Sequence, residues 1–451
     1  MSQICLVRIC VAWGLLVGLG CGSATTAMAT QATGFRAGAA KIDITPNYAV
    51  RLSGFGFRRT ESEGVAHAIH ARALVLIDNS AAPTVLVTID NCGVSAKLRS
   101  DVLAKLSTRG IKPERFTLLA THTHTAPMLD GVLRTLFGEP IPDDHRQRIA
   151  RYTAELTDRI AQVVGAALDD LKPARLSYVA GSVEFAKNRR TAGGPVDHAL
   201  PVLLVHDEEG HLIAVHTSYA CHCVTLSNNL ISGDWAGYAA ELIEREFPGC
   251  IGLVSIGCGA DQNPDSGVAG DRKELAQLQG ARISTEVKRL TTSPQIPISA
   301  ALICQIESIS LPLATARSEV QWQARLSQGG AMGYHAQVQL DRIHAGQKLP
   351  EQIDYPIQTW KFGDQLAFVF LPGEVVVDYA LRLKQEFDAS RIWVCAYAND
   401  TPCYIPSERI LREGGYEGEG AMIYYDLPQQ LASGLEEQIV HEIQRQWTPE
   451  F

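Results

Sequence analysis

Two histidines stand two residues apart directly after a predicted strand. His122 and His124 lie in the segment Ala120-Thr121-His122-Thr123-His124-Thr125-Ala126-Pro127, which follows a strand predicted over residues 115–120. In an extended chain, side chains two residues apart point to the same face. The two imidazoles could bind one metal ion, or one could bind it while the other transfers protons. A hydrogen-bonded pair of surface histidines is the alternative.

A third histidine, His222, follows another apolar strand, which is predicted over residues 212–219. It stands between Cys221 and Cys223, whose thiolates could join a zinc site. The two cysteines could equally be small buried side chains. Taken alone, His222 is more typical of a packed histidine than of a metal ligand.

Two later positions carry a carboxylate and a phenol next to turns. Glu374 follows a Pro-Gly pair and is predicted at the start of a helix, where a carboxylate also suits the helix dipole. Tyr404 lies between two prolines on a rigid loop that follows a strand. In isolation, the helix dipole explains the first residue and packing explains the second.

The glycine-rich loop 257–264 does not fit the common nucleotide or serine-hydrolase motifs. Gln262 occupies the place of the third glycine in the dinucleotide fingerprint. Around Ser255 the nucleophile elbow lacks its first glycine, because Leu253 stands there. The sequence also contains no P-loop. These motifs therefore favour neither nicotinamide chemistry, nor nucleoside triphosphate hydrolysis, nor the usual serine hydrolase.

The elements that carry these residues predict an α/β chain with a mixed β-sheet core flanked by helices. Hydrophobic periodicity distinguishes the strands from the helices. Strands are predicted over residues 73–78, 84–90, 115–120, 201–206, 212–219, 250–256, 366–371 and 392–397. Helices are predicted over residues 144–171, 235–246 with Asp234 as a cap, 272–290, 320–344 and 428–447, with another starting near Glu374.

Composition and the N-terminus indicate the class of protein. The 451 residues carry a net charge of −9 and no Lys/Arg cluster, so nucleic acid is not an expected partner. Residues 1–29 are predicted to be a secretory signal peptide, with a short apolar run and the cleavage site Ala27-Met28-Ala29. Residues 30–451 are predicted to form one large catalytic domain. The protein is therefore expected to be secreted or periplasmic.

Taken together, the motifs resemble the catalytic N-terminal domain of the neutral/alkaline non-lysosomal ceramidase family. The segment 122–127 is similar to the family's H-T-H-S-G-P, and His222 with the stretch to Asp234 is similar to its H-P-T segment and sequel. Pro372-Gly373-Glu374 matches P-G-E, and the stretch ending Cys403-Tyr404-Ile405 resembles one with a Tyr-Ile pair. The openings 40–46 and 52–56 are also similar, so the resemblance runs in order from about residue 35 to the C-terminus.

The resemblance implies a metal centre. It implies one zinc ion per chain, bound by His122, His222, Glu374 and Tyr404. Two histidines and a glutamate suit a catalytic zinc, whereas a phenol is an unusual ligand. His124 is implied to lie beside the metal, where it transfers protons or orients the substrate.

Three further residues are carried over from the family pattern. Asn188-Arg189 resembles an N-R-S segment and Asp261 resembles the Asp of a G-D-x-S-P-N loop, and the resemblance implies that Arg189 and Asp261 pair near the active site. The family's serine two residues after that Asp is Asn263 here. A serine nucleophile is therefore not available at this position, although Asn263 can still donate a hydrogen bond to substrate.

Two other departures bear on the substrate. Cys223 replaces the proline that follows the second metal histidine. Family ceramidases usually add a C-terminal β-sandwich domain, and this chain is expected to lack one because it stops soon after its last predicted helix. Both departures put ceramide itself in question more than they affect the fold or the metal.

The resulting hypothesis is a zinc-dependent amidohydrolase that cleaves the N-acyl amide of ceramide or a ceramide-like lipid into fatty acid and sphingoid base. Peripheral membrane contact is part of this hypothesis, while the oligomeric state and the disulfide pairing stay open. Another N-acyl or ester substrate, such as an acylated sugar, is an alternative. A phosphoester hydrolase would need a second metal, for which His67 and His70 are the spare ligands. A non-catalytic zinc-containing binding protein is the last alternative, because Asn263 replaces serine.

Overall fold

A computed structural model describes residues 34–447, so the predicted signal peptide at residues 1–29 lies outside the described residues. The strands of the described range are β1 (Phe35–Asp43), β2 (Gly64–Val65), β3 (His70–Ile77), β4 (Thr84–Ile89), β5 (Phe116–Ala120), β6 (Lys172–Ser182), β7 (Ala186–Asn188), β8 (Ala199–His206), β9 (Leu212–Tyr219), β10 (Leu230–Ile231), β11 (Ile251–Ile256), β12 (Gln262–Pro264), β13 (Ile296–Ile298), β14 (Leu302–Pro312), β15 (Gln352–Phe362), β16 (Leu366–Phe370), β17 (Glu374–Val375), β18 (Ile392–Cys395) and β19 (Tyr404–Ile405). The α-helices are α1 (Ala96–Lys105), α2 (Asp143–Asp169), α3 (Asp234–Glu246), α4 (Lys273–Thr291), α5 (Glu319–Leu326), α6 (Gly330–His344), α7 (Val377–Glu386), α8 (Glu408–Glu413), α9 (Gly415–Gly418) and α10 (Leu435–Trp447).

Two sheets form the framework. The larger has the order β11-β9-β8-β6-β1-β3-β4-β5, with β13 also paired to β6. The smaller has the order β14-β15-β16-β18. Both sheets are mixed, because β4–β5, β9–β11 and β16–β18 are parallel pairs and the other pairs of both sheets are antiparallel. Each parallel pair brings two carboxyl ends of strands to the same edge, which is where loops with functional residues are expected.

The core is layered because side chains alternate across each strand. On β3, Leu74 belongs to an apolar cluster shared with Trp393 of the smaller sheet, whereas Val75 belongs to the cluster that includes Leu156 of α2. Phe35 of β1 packs against Phe362 of β15 with ring centroids 5.9 Å apart. The larger sheet therefore packs on the smaller one through one face and on helices through the other. This arrangement confirms the predicted α/β class with a mixed sheet and flanking helices.

Three predicted helices have different bounds. The helix expected over 320–344 is two helices, because Gly329 and Gly330, at the start of α6, adopt left-handed φ values of 67° and 57°. The helix expected over 428–447 starts only at Leu435, after Gly434 at φ 92°. Glu374 is not at a helix start, since it lies in the short strand β17 and α7 begins at Val377.

The sequence analysis also missed four long strands, β1, β6, β14 and β15. Strand β14 lies at the edge of the smaller sheet and most of its residues are half-buried or exposed, so it lacks a continuous apolar run. Strands β6 and β15 each contain an internal proline, which argues against a strand in sequence. Within residues 34–447, no helix is both long and apolar enough to cross a bilayer.

Candidate active site

Four candidate residues lie in loops that follow the carboxyl ends of strands, two in each sheet. His122 comes two residues after β5, and His222 comes three residues after β9. Glu374 follows β16, and Tyr404 follows β18 through the loop that begins after Cys395. His122 itself has a left-handed φ of 56°, which is uncommon outside glycine and typical of constrained functional positions.

Two short backbone pairings bring these loops together. Thr123 and Cys223 form a parallel bridge, and the His124 amide donates to the Cys223 carbonyl at 3.1 Å. Strands β17 and β19 are parallel, with Glu374 directly opposite Tyr404. The four implied metal ligands are therefore held as two pairs of neighbouring segments.

The two imidazoles His122 and His222 are oriented by backbone carbonyls. Nδ1 of His122 donates to the Cys92 carbonyl at 2.6 Å, and Nδ1 of His222 donates to the Gly259 carbonyl at 2.8 Å. A carbonyl can only accept, so both protons sit on Nδ1 in the neutral rings. Each Nε2 then presents its lone pair, and each lies 3.2 Å from the same Glu374 oxygen, Oε2.

This convergence fits a metal ion. Oε2 of Glu374 is buried and accepts no hydrogen bond, although buried carboxylate oxygens are normally satisfied. One ligand atom from each of His122, His222 and Glu374 lies within 4.8 Å of the others, which makes them a candidate metal-binding group. Two imidazoles held by backbone carbonyls and one carboxylate match the donor set of a catalytic zinc.

The pKa values of the three residues shift in different directions. Burial by itself would lower the pKa of His122, but the adjacent Glu374 carboxylate and Cys92 together outweigh it and raise that pKa to about 10. Burial also opposes ionisation of Glu374, yet the two histidines hold its pKa well below the usual range. Burial, followed by the Arg189 guanidinium, lowers the pKa of His222 to about 4.

Tyr404 lies at the same place. Its phenol oxygen is 3.4 Å from Nε2 of His222 and accepts a 3.0 Å hydrogen bond from Arg189. Burial raises the pKa of Tyr404 well above its usual value, and the Arg189 guanidinium acts against that rise. A nearby dication would act in the same direction as the guanidinium.

His124 lies beside the three converging residues and on the open side. Its Nε2 is 3.0 Å from Nε2 of His122, and the ring packs edge-on against Phe55 with centroids 4.9 Å apart. Burial, then the other two imidazoles, lowers the pKa of His124 well below its usual value. A neutral imidazole in this position can accept a proton.

Arg189 does not pair with Asp261 through their side chains, which corrects that expectation. The guanidinium forms its ion pair with Glu417 at 2.8 Å, while the Arg189 amide donates to the Asp261 carbonyl at 2.8 Å. The Asp261 carboxylate accepts instead from Asn188 Nδ2 at 3.1 Å and from the Val377 amide at 2.9 Å. Asp261 is fully buried and therefore fixes the loop rather than facing the cleft.

An open cleft of about 580 Å³ leads to this cluster. Asn263 lies on its wall, and Oδ1 of Asn263 is 3.5 Å from Arg189. The cleft is lined by Gly54, Phe55, His124, Arg189, Arg190, Thr191, Val224, Asn263, Val268, Tyr404, Gly415, Tyr416 and Glu417. The structure thus brings together every predicted site residue except the side chain of Asp261.

Several contacts at the site were missed by the sequence analysis. Glu417 carries the ion pairs of Arg189 and Arg190, and Tyr416 lines the cleft. Tyr425 donates a short hydrogen bond to Oε1 of Glu374. These residues lie in a segment without apolar periodicity, and the only sequence signal there is a run of glycines between 414 and 420.

The alternative ligands have other partners. The Cys221 thiol contacts the carbonyl of His222, and within residues 34–447 no candidate metal group includes Cys221 or Cys223. Nε2 of His67 lies 2.9 Å from Glu241, and neither His67 nor His70 belongs to a candidate group in that range. Cys92 does form a candidate group with His122 and His124, but its carbonyl already occupies Nδ1 of His122.

The N-terminal part of the chain matches a known family model. Residues 35–251 match the family model described as neutral/alkaline non-lysosomal ceramidase, N-terminal. The chain resembles this family, as its motifs predict. The matched range contains His122, Arg189 and His222, whereas Glu374 and Tyr404 lie beyond it.

Curated relatives match about half of the chain. Neutral ceramidase A of Dictyostelium discoideum is 24% identical over 245 residues, which cover 49% of this chain and 34% of that protein. Neutral ceramidase of Drosophila melanogaster is 25% identical over 233 residues, which cover 47% of this chain and 32% of that protein. These alignments span about a third of the length of those relatives.

The fold likeness extends further along the chain. The crystal structure of neutral ceramidase from Pseudomonas aeruginosa superposes with a TM-score of 0.72 at 19% identity, covering 93% of this chain and 76% of that one. A ceramidase complexed with C2 gives a TM-score of 0.71 at 18% identity, covering 92% of this chain and 76% of that one. The shared fold therefore extends well beyond residues 35–251, which the family model matches.

Proposed function

We propose that the protein is a secreted zinc-dependent hydrolase that cleaves the N-acyl amide of a ceramide-like lipid. The observation that carries the proposal is the convergence of His122 Nε2, His222 Nε2 and the unpartnered Glu374 Oε2 at the end of a cleft. The family resemblance supplies the reaction class. Secretion rests on the predicted signal peptide, and residues 30–451 are taken as one catalytic domain.

His122, His222, Glu374 and the phenol of Tyr404 would hold the metal. Bound zinc would supply water of lowered pKa and polarise the substrate carbonyl. Two histidines, one carboxylate and an open side towards the cleft are the arrangement expected of a catalytic rather than a structural zinc.

The residues around the metal divide the remaining tasks. His124, with a neutral imidazole facing the cleft, would take a proton from the attacking water and return it to the leaving nitrogen. The Arg189 guanidinium, which donates to Tyr404 and is 3.5 Å from Asn263, would stabilise negative charge on the carbonyl oxygen. Asn263 would orient the substrate through a hydrogen bond.

The cleft suits an amphipathic substrate. Phe55, Val224 and Val268 give it apolar surface, while Arg190 and Thr191 give it polar surface. Two aromatic residues extend the apolar surface at the mouth, since Phe57 stacks on Phe55 and is 63% exposed, and Tyr416 is 46% exposed. An acyl chain would lie along this surface, and the exposed rings would contact the lipid surface that presents it.

A second candidate keeps the chemistry but changes the substrate. Asn263 stands where the family has serine, and two arginines line the cleft with it, Arg189 and Arg190. Polar groups of this kind would also accommodate an N-acyl or O-acyl compound with a polar head, such as an acylated sugar. A substrate panel that includes both lipid and sugar acyl compounds separates the two candidates.

The test is release of fatty acid from a short-chain ceramide by purified protein, with and without a zinc chelator. We expect release that the chelator abolishes and zinc restores. The His122→Ala variant should lose bound zinc and activity together, because one of three converging ligands is removed. The His211→Ala variant is the matched control and should retain both, because the exposed His211 ring lies in the turn before β9, at the opposite end of that strand from His222. Activity in a zinc-free His122→Ala protein would overturn the proposal.

A further inference from the structure

The two oxygens of the Glu374 carboxylate have different surroundings. Oε2 lies 3.2 Å from both His122 and His222, whereas Oε1 accepts a short hydrogen bond from the hydroxyl of Tyr425. The carboxylate and the phenol are both buried. The hydrogen bond from the phenol fixes the rotation of the carboxylate and leaves Oε2 as the oxygen without a hydrogen bond, directed at the two imidazoles.

Hydrogen bonds to Thr135 and within the turn hold the segment that carries Tyr425. The hydroxyl of Thr135 donates to the Ile423 carbonyl, and the Thr135 amide donates to the Tyr424 carbonyl at 3.3 Å. The Tyr425 amide donates to the Met422 carbonyl at 3.1 Å. These bonds place the phenol independently of the loop that carries Glu374.

The residue after Tyr425 connects this segment to helix α6. Asp426 has a left-handed φ of 62°, a conformation that is uncommon outside glycine, although Asp adopts it more readily than most residues. Its carboxylate accepts from Arg342 at 2.9 Å and from Gln339 Nε2 at 2.9 Å, and both donors lie on α6. The helix thereby holds the conformation that aims the Tyr425 hydroxyl at Glu374.

We propose that Tyr425 is a positioning residue for the metal ligand Glu374, held in place by Asp426 and helix α6. This inference rests on the metal site proposed above and adds a residue outside the four implied ligands. The hydroxyl keeps Oε2 directed at the two imidazoles and prevents the carboxylate from turning. Loss of the hydroxyl leaves Oε1 buried without a donor, so the ligand geometry relaxes.

The experiment compares Tyr425→Phe with Tyr424→Phe. The first removes only the hydroxyl, while the second removes the hydroxyl of the neighbouring, half-buried tyrosine, which packs against the Tyr416 ring at 6.2 Å. Zinc affinity is measured by competition with a chromophoric chelator, and ligand geometry is measured from the visible spectrum of the cobalt-loaded protein. We expect Tyr425→Phe to bind zinc about 10–100-fold more weakly and to change the cobalt spectrum, and Tyr424→Phe to match the wild-type protein.

The outcomes separate this inference from the proposed function. If wild-type protein binds zinc and Tyr425→Phe binds it equally tightly with the same cobalt spectrum, the positioning role is wrong and the metal site stands. If Tyr424→Phe loses as much affinity as Tyr425→Phe, the effect belongs to the segment and the positioning role is again wrong. If wild-type protein binds no zinc, the metal site and the positioning role are both overturned. An Asp426→Asn variant should show a smaller loss of affinity than Tyr425→Phe, because it weakens only the support.

Discussion

At the scale of single residues, a hydrogen bond on one side of each imidazole determines which ring nitrogen faces the candidate site. Cys92 and Gly259 each hold the Nδ1 of one imidazole, and this leaves Nε2 of His122 and His222 facing Glu374. No motif shows this, because the acceptors are backbone carbonyls that any residue could supply. The histidines were predictable from their place after strands, and their orientation was not.

The role of Asn263 in the cleft depends on which group is the nucleophile. If water is the nucleophile, Asn263 contributes a hydrogen bond and no covalent step. We expect Asn263→Ala to lower kcat/KM by about fivefold, the equivalent of one hydrogen bond worth about 1 kcal/mol, with zinc content unchanged. Asn263→Ser should also remain active. A loss in Asn263→Ala as complete as that in His122→Ala would show that Asn263 takes part in bond breaking.

At the scale of elements, the site depends on how loops after the strands are joined. The pairing of β17 with β19 sets Glu374 opposite Tyr404, and it requires Gly373 to adopt a φ of 81°. A Cβ at Gly373 would lie 2.5 Å from the carbonyl oxygen of Cys403. The glycine of the Pro-Gly-Glu motif is therefore explained by the close approach of β17 and β19, and not by a helix start.

Substitution of Gly373 should consequently affect the metal site as well as stability. We expect Gly373→Ala to lower the free energy of unfolding by at least about 1–3 kcal/mol and to weaken zinc binding, because the collision separates β17 from β19. Gly346→Ala is the matched control, since Gly346 has a similar φ of 72° but no atom within 4 Å of the added Cβ. It should cost only about 1–2 kcal/mol of backbone strain and leave zinc binding intact. Equal effects on zinc binding would contradict this account.

At the scale of the whole molecule, the packing of the two sheets buries a histidine that no site uses. Burial lowers the pKa of His216 on β9 to about 3, and its ring stacks on Trp393 of β18 with centroids 4.6 Å apart. Nε2 of His216 is paired with the Ser255 hydroxyl at 2.9 Å. The histidine is thus held neutral between the sheets.

Acid should therefore destabilise the protein through His216. The unfolded chain binds a proton on this ring below about pH 6.5, whereas the folded protein does so only near pH 3, so stability is lost as the pH falls between those values. At pH 5 the loss from this ring is about 2 kcal/mol. We expect His216→Gln to be less stable than wild type at pH 7, with a difference that shrinks by about that amount at pH 5, measured by urea unfolding. A difference that stays constant with pH would contradict the prediction.

The sequence alone determined the α/β class, most strands of the larger sheet, the family resemblance and the positions of the three histidines. Each of these depends on local information, namely apolar periodicity within a strand or a short motif directly after it. Only the tertiary structure decided that Arg189 pairs with Glu417 rather than with Asp261, that Glu374 lies opposite Tyr404, and that Tyr425 holds Glu374. These partners are separated by tens to hundreds of residues, and a hydrogen bond or ion pair across that separation leaves no periodic trace in the chain. The packing of the two sheets brings the loops together, and the geometry of the site follows from that packing.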